Sequence, residues 1–255
     1  MGAIFHEAIY QPLYNILIFL YEVIPGEDFG IAIVAVTLLI KTALIPLSKK
    51  QIQSQKKMQD IQPELKEIQK KYKDDKEKQT KEIMKFYKDN KVNPFSGCLP
   101  LIVQIVFLIA IYRVIINISD AGLVVIGDDL YSFISNPGEI NSTSLGIIDL
   151  LKPSIPIAIL AAAAQFWQTK LLINKSNKKK ETMDQEKKDE KKDVPEEPDF
   201  AQIMNKQMLF LGPLLTLFIG IKFAAGLSIY WLVSTLFAVF QQLYIFKKSE
   251  EEKNQ

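Results

Sequence analysis

The chain has one cysteine, one histidine and one arginine in 255 residues, and each scarcity excludes something. Cys98 alone cannot form an intramolecular disulfide or a Cys-rich metal site, and it lies too far from the N-terminus for lipoprotein attachment. His6 alone excludes a histidine-based catalytic or metal constellation within one chain. No phosphate-binding loop, catalytic carboxylate pair or nucleophile elbow is present, so neither enzymatic chemistry nor a cofactor is expected. The opening MGAIFHEAIY has no Lys or Arg, as a cleavable signal peptide would need, and is expected to begin the mature protein.

The basic residues are also missing from particular places. Of 31 Lys+Arg, none lies in 1–40 or 119–151, whereas 14 lie in 48–97, nine in 174–206 and three in 247–255. Apolar stretches alternating with Lys-rich ones exclude a water-soluble globule and fit an all-α integral membrane protein. Five spans are expected: 29–53, 98–118, 153–173, 207–222 and 223–246. The last two, separated by a residue or two, read as an antiparallel helical hairpin. Met208 to Ile221 is short, roughly 21 Å against a ~30 Å hydrocarbon core. Either its helix continues back through Ala201 to Gln207, or the bilayer thins around it.

Lys-rich loops stay in the cytoplasm. Residues 54–97, the loop 174–206 and the tail 247–255 are therefore expected inside, and 1–28 and 119–152 outside. Within 1–28, Ile9, Leu13, Ile16, Leu17, Leu20, Val23 and Ile24 form one stripe opposite Gln11, Asn15 and Glu22. This predicts an amphipathic helix lying in the membrane interface, with a tilted extra span as the alternative. In 54–97, Met58, Ile61, Leu65, Ile68 and Tyr72 make a heptad seam, and Ile83, Met84, Phe86 and Tyr87 could pack against it. A helical hairpin is expected, turning at KDDKEK, with Pro63 opening or kinking its first helix. Residues 174–206, rich in charge and nearly devoid of hydrophobes up to 199, read as a flexible loop.

Lys41 is the most informative residue, because a charge inside a span costs at least ~2.5 kcal/mol on insertion scales. Thr37 and Ser48 are expected on its helical face. Gln165, Gln168 and Thr169 on the third span, and Ser228 and Thr235 on the fifth, offer similar stripes. Together they could line a hydrophilic cavity. The plainer alternative is that Lys41 snorkels to the interface and the glutamines tie helices together. No span contains an Asp or Glu, so Lys41 has no acidic partner within the spans. Arg113 and the two tryptophans, Trp167 and Trp231, read first as interfacial or packing residues.

KKMQDIQPELKEIQKKYKDD, KFYKDNKVNPFSGCLPLIVQ and GLSIYWLVSTLFAVFQQ, with Lys41 ahead of IPLS, together resemble the YidC/Oxa membrane protein insertases in their short form. The resemblance covers almost the whole chain in order. It implies five transmembrane helices around a hydrophilic groove open to the cytoplasm and to lipid but closed outside. It also implies a groove cation at Lys41, where arginine is usual, and groove-lining roles for Gln168 and Trp231. Alanine replaces the usual proline before AGL, and Thr235 stands where asparagine is common. The function implied is insertion and chaperoning of nascent membrane proteins in the bacterial cell membrane, with lipids, the ribosome and a Sec-type translocon as partners and no nucleotide. Two other classes fit the residues less closely. A solute or ion transporter would show internal repeats, and none is visible. A membrane-anchored scaffold would act through the Lys-rich hairpin alone.

Overall fold

A computed structural model describes residues 2–93, 99–186 and 200–251. Residues 94–98, which include Cys98, the middle of the charged 174–206 loop and the last four residues of the tail lie outside the described residues. The rest is almost entirely helical. A short helix α1 (Ala3–Phe5) and a π-helical turn (His6–Tyr10) lead into α2 (Gln11–Val23). Then come α3 (Phe29–Ala43), α4 (Ile45–Asp60), α5 (Gln62–Lys71), α6 (Lys76–Asp89), α7 (Leu99–Asp120), α8 (Ile155–Glu186), α9 (Phe200–Lys222) and α10 (Ala225–Glu251). Between α7 and α8, strands β1 (Thr143–Ser144) and β2 (Ile148–Asp149) form a small antiparallel hairpin.

Among the described residues, two helices are long and apolar enough to cross a membrane, Leu101–Asp120 and Ala225–Lys247. The total is three if the pair α3 and α4, bent by 65°, counts as one span. The stretch 29–53 expected as the first span is thus two helices rather than one. Pro46 has no N–H, and its ring would collide with the Thr42 carbonyl in a straight helix, so the chain breaks at Leu44. The upper piece, α3, is therefore roughly 22 Å long. The stretch expected as a third span runs on as helix to Glu186, and α9 begins as early as Phe200. Lengthening of the short fourth run through 201–207 is thus the alternative the structure adopts.

The last two spans are not the hairpin their short connection suggests. α9 lies along α8, and α10 packs on α8, α3 and α7. Small residues decide this: a Cβ on Gly220 would stand 2.6 Å from the Ala158 Cβ, so only glycine permits such an approach. Gly226 similarly lets α10 start between Ile115 of α7 and Ile33 of α3.

The N-terminal helix is covered on its polar face as well as on its apolar one. Tyr10, Leu13, Tyr14, Leu17, Ile18 and Tyr21 are all buried, and so is Asn15. The polar face assigned to water is covered instead by the 119–152 segment. The Asn15 amide donates to Gln11 O and Asp129 O, both at 2.8 Å, while its Oδ1 accepts from Tyr131 N at 2.6 Å. Tyr14 Oη donates to Ile126 O and accepts from Ile126 N, and Tyr21 Oη accepts from Asn141 N. Val125, Ile140 and Leu150 of the segment complete one apolar core with α2, α3, α7 and α10.

The hairpin of α5 and α6 is different in kind, with no buried residue in either helix. Ile61 takes the position before α5 and Pro63 falls in its first turn, where its missing N–H costs nothing. Asp75 caps α6 by accepting from Lys78 N. Gln79 Nε2 donates across to Gln69 O at 2.7 Å, and the ammonium groups of Lys71 and Lys78 lie over the Tyr72 ring.

Candidate functional site

The polar residues within the apolar helices gather around two glutamine carbonyls. Lys41 on α3 donates from Nζ to Gln104 Oε1 on α7 at 3.0 Å, and Ser234 Oγ on α10 donates to the same oxygen at 2.8 Å. On α8, Gln165 Oε1 accepts from Trp231 Nε1 at 3.2 Å and from Thr235 Oγ1 at 3.3 Å. Ser234 and Thr235 are successive residues of α10, so the two clusters adjoin and join α3, α7, α8 and α10. Hydrogen bonding explains the local choice, since a hydroxyl or amide facing hydrocarbon without a partner is costly.

Of the residues proposed from the sequence, Lys41 lies in the first cluster and Gln165, Trp231 and Thr235 in the second. Gln168, one turn along α8 from Gln165, is half-buried and makes no hydrogen bond to either cluster. Thr37 is buried, but its hydroxyl donates to Ile33 O at 2.6 Å. Ser48 likewise bonds its own backbone, at Leu44 O, and lies on α4 beyond the bend. The expected continuous stripe Thr37–Lys41–Ser48 is interrupted there, because the break at Leu44 re-aims everything that follows.

Gln104 and Ser234 are functional candidates that reading by segment missed. A signal existed: Gln104 is the lone amide in LPLIVQIVFL. The amide nitrogen of Gln104 is buried without a hydrogen-bond partner among the described residues, as are those of Gln51 and Gln241 and the amide oxygen of Gln242. All four belong to α4, α7 and the later part of α10, on the side of the molecule that carries the Lys-rich hairpin. Lys41 has no ion-pair partner among the described residues, so its ammonium rests on a neutral carbonyl. No group of three or more His, Cys, Asp or Glu capable of holding a metal occurs among the described residues.

The opposite end is tied to the 119–152 segment by hydrogen bonds. Asp28 caps α3, its Oδ1 accepting from Ile31 N at 2.9 Å and from Ser144 Oγ at 2.7 Å, and its Oδ2 accepting from Leu145 N at 2.6 Å. Burial pushes this carboxyl upward, but the donors from Leu145, Ile31, Ser144 and Gly30 outweigh it and hold the group below the usual aspartate range. Ala225 N donates to Lys152 O and Gly226 N to Leu150 O, tying the start of α10 to the same segment.

The family model of the 60Kd inner membrane protein matches residues 19–253. A Fusobacterium nucleatum protein named membrane protein insertase YidC is 32% identical over 221 residues, covering 87% of each chain. The protein of that name from Clostridium tetani is 33% identical over 228 residues, covering 89% of this chain and 86% of its own. The Streptomyces avermitilis relative is 29% identical over 240 residues, and there the chain spans about half of the relative, 52% of its length.

Proposed function

The chain belongs to the 60Kd inner membrane protein family, and from that membership we propose that it is a membrane protein insertase and membrane chaperone acting on nascent membrane proteins. The observation that carries this reading is the polar cluster of Lys41, Gln104, Ser234, Gln165, Trp231 and Thr235 between helices that are otherwise apolar. Five spans cross the bacterial cell membrane, with the N-terminus outside and the C-terminus in the cytoplasm. The cluster lines a groove open to the cytoplasm and lipid.

The physical logic is a reduction of desolvation cost. A polar segment of substrate that enters the groove exchanges water for hydroxyls, amides and one ammonium instead of hydrocarbon. Lys41 has a neutral partner only, so a substrate carboxylate can displace Gln104 and gain a charge-assisted contact. An ammonium binds as a point charge rather than as a bidentate fork, which makes the contact less directional than arginine would give. The short upper piece of the first span shortens the polar path, and the substrate's apolar helix then partitions into lipid. The Lys-rich hairpin supplies charge for anionic lipid heads, ribosomal RNA or a Sec-type translocon.

The test is protease protection of a substrate tail bearing acidic or neutral residues, in membranes holding each Lys41 variant. Selective loss of the acidic tail in Lys41→Ala supports the reading. Equal insertion of both tails by the Lys41, Lys41→Ala and Lys41→Glu forms would remove electrostatics from the mechanism.

A further inference from the structure

The tip of the β1–β2 hairpin has an unusual composition for its position. Ser144, Leu145, Gly146 and Ile147 form a turn closed by Ile147 N donating to Ser144 O at 3.1 Å. Both central residues have positive φ, 51° at Leu145 and 70° at Gly146. That conformation favours Asn, Asp or Gly in the first place, and a branched apolar residue there is sterically disfavoured. Packing within the protein does not compensate, because Leu145 is 67% exposed and Ile147 81% exposed. An uncharged, apolar tip in a disfavoured conformation calls for an apolar surrounding outside the chain.

Its position says which. Asp28 binds both Leu145 N and Ser144 Oγ with the same carboxylate that caps α3 through Ile31 N. A Cβ on Gly30 would collide with the Ser144 side chain, so the strand lies directly on the first turn of α3. The tip is thereby fixed within one turn of the outer end of the first span. Ile31 in that turn is itself exposed, and exposed Leu38 and Leu39 continue down α3 as lipid-facing surface. Val23, at the end of α2 and leading into the same corner, is also exposed. The acid nearest the tip, Asp28, is buried, with its oxygens turned onto Leu145 N, Ser144 Oγ and Ile31 N, and Asp149 is paired with Lys152 Nζ at 2.8 Å, so neither carboxylate is presented at the apolar tip.

We infer that Leu145 and Ile147 insert into the outer leaflet at the boundary of headgroups and acyl chains, making the hairpin a membrane-seated wedge that holds the outer cap at a fixed depth. The occupant of this surface is lipid, by continuity with the lipid-facing side of α3. The inference rests on the reading that α3 crosses the membrane with Asp28 outside.

The full chain, carrying Cys98→Ser, is reconstituted into phosphatidylglycerol/phosphatidylethanolamine vesicles with a polarity-sensitive fluorophore on one new cysteine. The positions are Ile147→Cys, Glu139→Cys on the exposed outer segment, and Leu39→Cys on the lipid-facing side of α3. At Ile147, nitroxide lipids labelled shallow in the acyl chain should quench, and aqueous iodide should quench severalfold less than at Glu139. Iodide access at Ile147 equal to that at Glu139 would overturn the inference, as would protection from iodide without lipid quenching, which would signal contact between chains. Leu39 separates the two readings. If deep-labelled lipids quench Leu39 but no lipid label quenches Ile147, only the wedge fails; if Leu39 is not quenched, the spanning reading fails with it.

Discussion

The end of this protein that carries α2 and the 119–152 segment, which the proposed topology places outside, and the end that carries the Lys-rich hairpin are held by different forces. At the first, α2 and the 119–152 segment enclose a core of Leu17, Ile18, Tyr14 and Leu150, with Asn15, Tyr14, Tyr21 and Asp28 each bonded to backbone more than a hundred residues away. In water such burial is driven by the hydrophobic effect, about 1.5–3 kcal/mol for each large apolar side chain. Within the bilayer that drive vanishes, since lipid is as apolar as leucine, and contact depends on close approach such as Gly220 against Ala158. The inner half therefore accommodates glutamine amides left unpaired and a lysine held by one neutral carbonyl. A densely bonded end and a polar end with unpaired amides suit the one-sided admission of a polar segment proposed above.

The contrast can be broken most directly at Lys41. Lys41→Ala should lower insertion of an acidic tail roughly tenfold, and Lys41→Glu roughly a hundredfold, if each charge step is worth ~1.4 kcal/mol in a wet site. Lys41→Arg should preserve insertion, and neutral tails should respond little; protease protection of the tail measures all four. Gln104→Glu sharpens the point. It supplies the counter-ion that Lys41 lacks, so insertion of acidic tails should fall while helix packing is retained.

A smaller effect is expected at the outer end. Asn15→Ala leaves Tyr131 N–H without its acceptor and Asp129 C=O with only the longer bond from Gln11 Nε2 at 3.3 Å, a loss of about 2 kcal/mol. Protease added outside should then cut within 119–152 faster than in the parent, without a change in which tails are preferred. Altered tail selectivity in this variant would mean that the two ends are not separable.

Asp28 gives a milder, pH-dependent version of the same test. Its carboxyl is held below the ordinary value, so its contribution is fully present above that value and is lost as pH falls through the lowered one. Protection of 119–152 against hydrogen exchange should thus decline below about pH 4. Asp149, lowered by the Lys152 hydrogen bond, shifts protection in the same direction. The His6–Asp129 pair is common to parent and variant. The difference between the parent and Asp28→Asn isolates Asp28, and Asp28→Asn should flatten it at a cost near ~1 kcal/mol.

The smallest effect belongs to the hairpin. Ile68→Ala should cost no more than ~1 kcal/mol, because Ile68 is only half-buried and no side chain of α5 is fully buried, so little cavity is left. Hydrogen exchange there should be fast, and protection equal to that of α7 would contradict the contrast between firm and loose regions.

Much of this was legible in particular residues. Long apolar runs located α7 and α10, and polar residues inside apolar segments singled out Lys41, Gln165 and Thr235, while Trp231 was pointed to only by the family resemblance. Reading each segment alone concealed Gln104 and Ser234, whose importance comes from meeting Lys41 across three helices. The same limitation hid what covers the polar face of α2. The spacing of Gln11, Asn15 and Glu22 correctly defines a face, but a polar face can meet water or backbone, and here it meets the carbonyl of Asp129, 114 residues away from Asn15. Pro46 rules out a straight helix through this point, yet the size of the bend that separates Ser48 from Lys41, 65°, was not readable from the sequence.

The sequence by itself determined that the chain enters a membrane, where a lone cation sits within it, and which loops carry charge. These follow from local hydropathy and charge, which act residue by residue against the solvent. Tertiary structure alone decided that α9 follows α8 rather than α10, that one end is tied to the 119–152 segment by Asp28 and Asn15, and that Lys41 rests on Gln104. Those outcomes depend on short-range contacts between distant segments, where a missing Cβ or one hydrogen-bond donor selects among arrangements that hydropathy leaves equal.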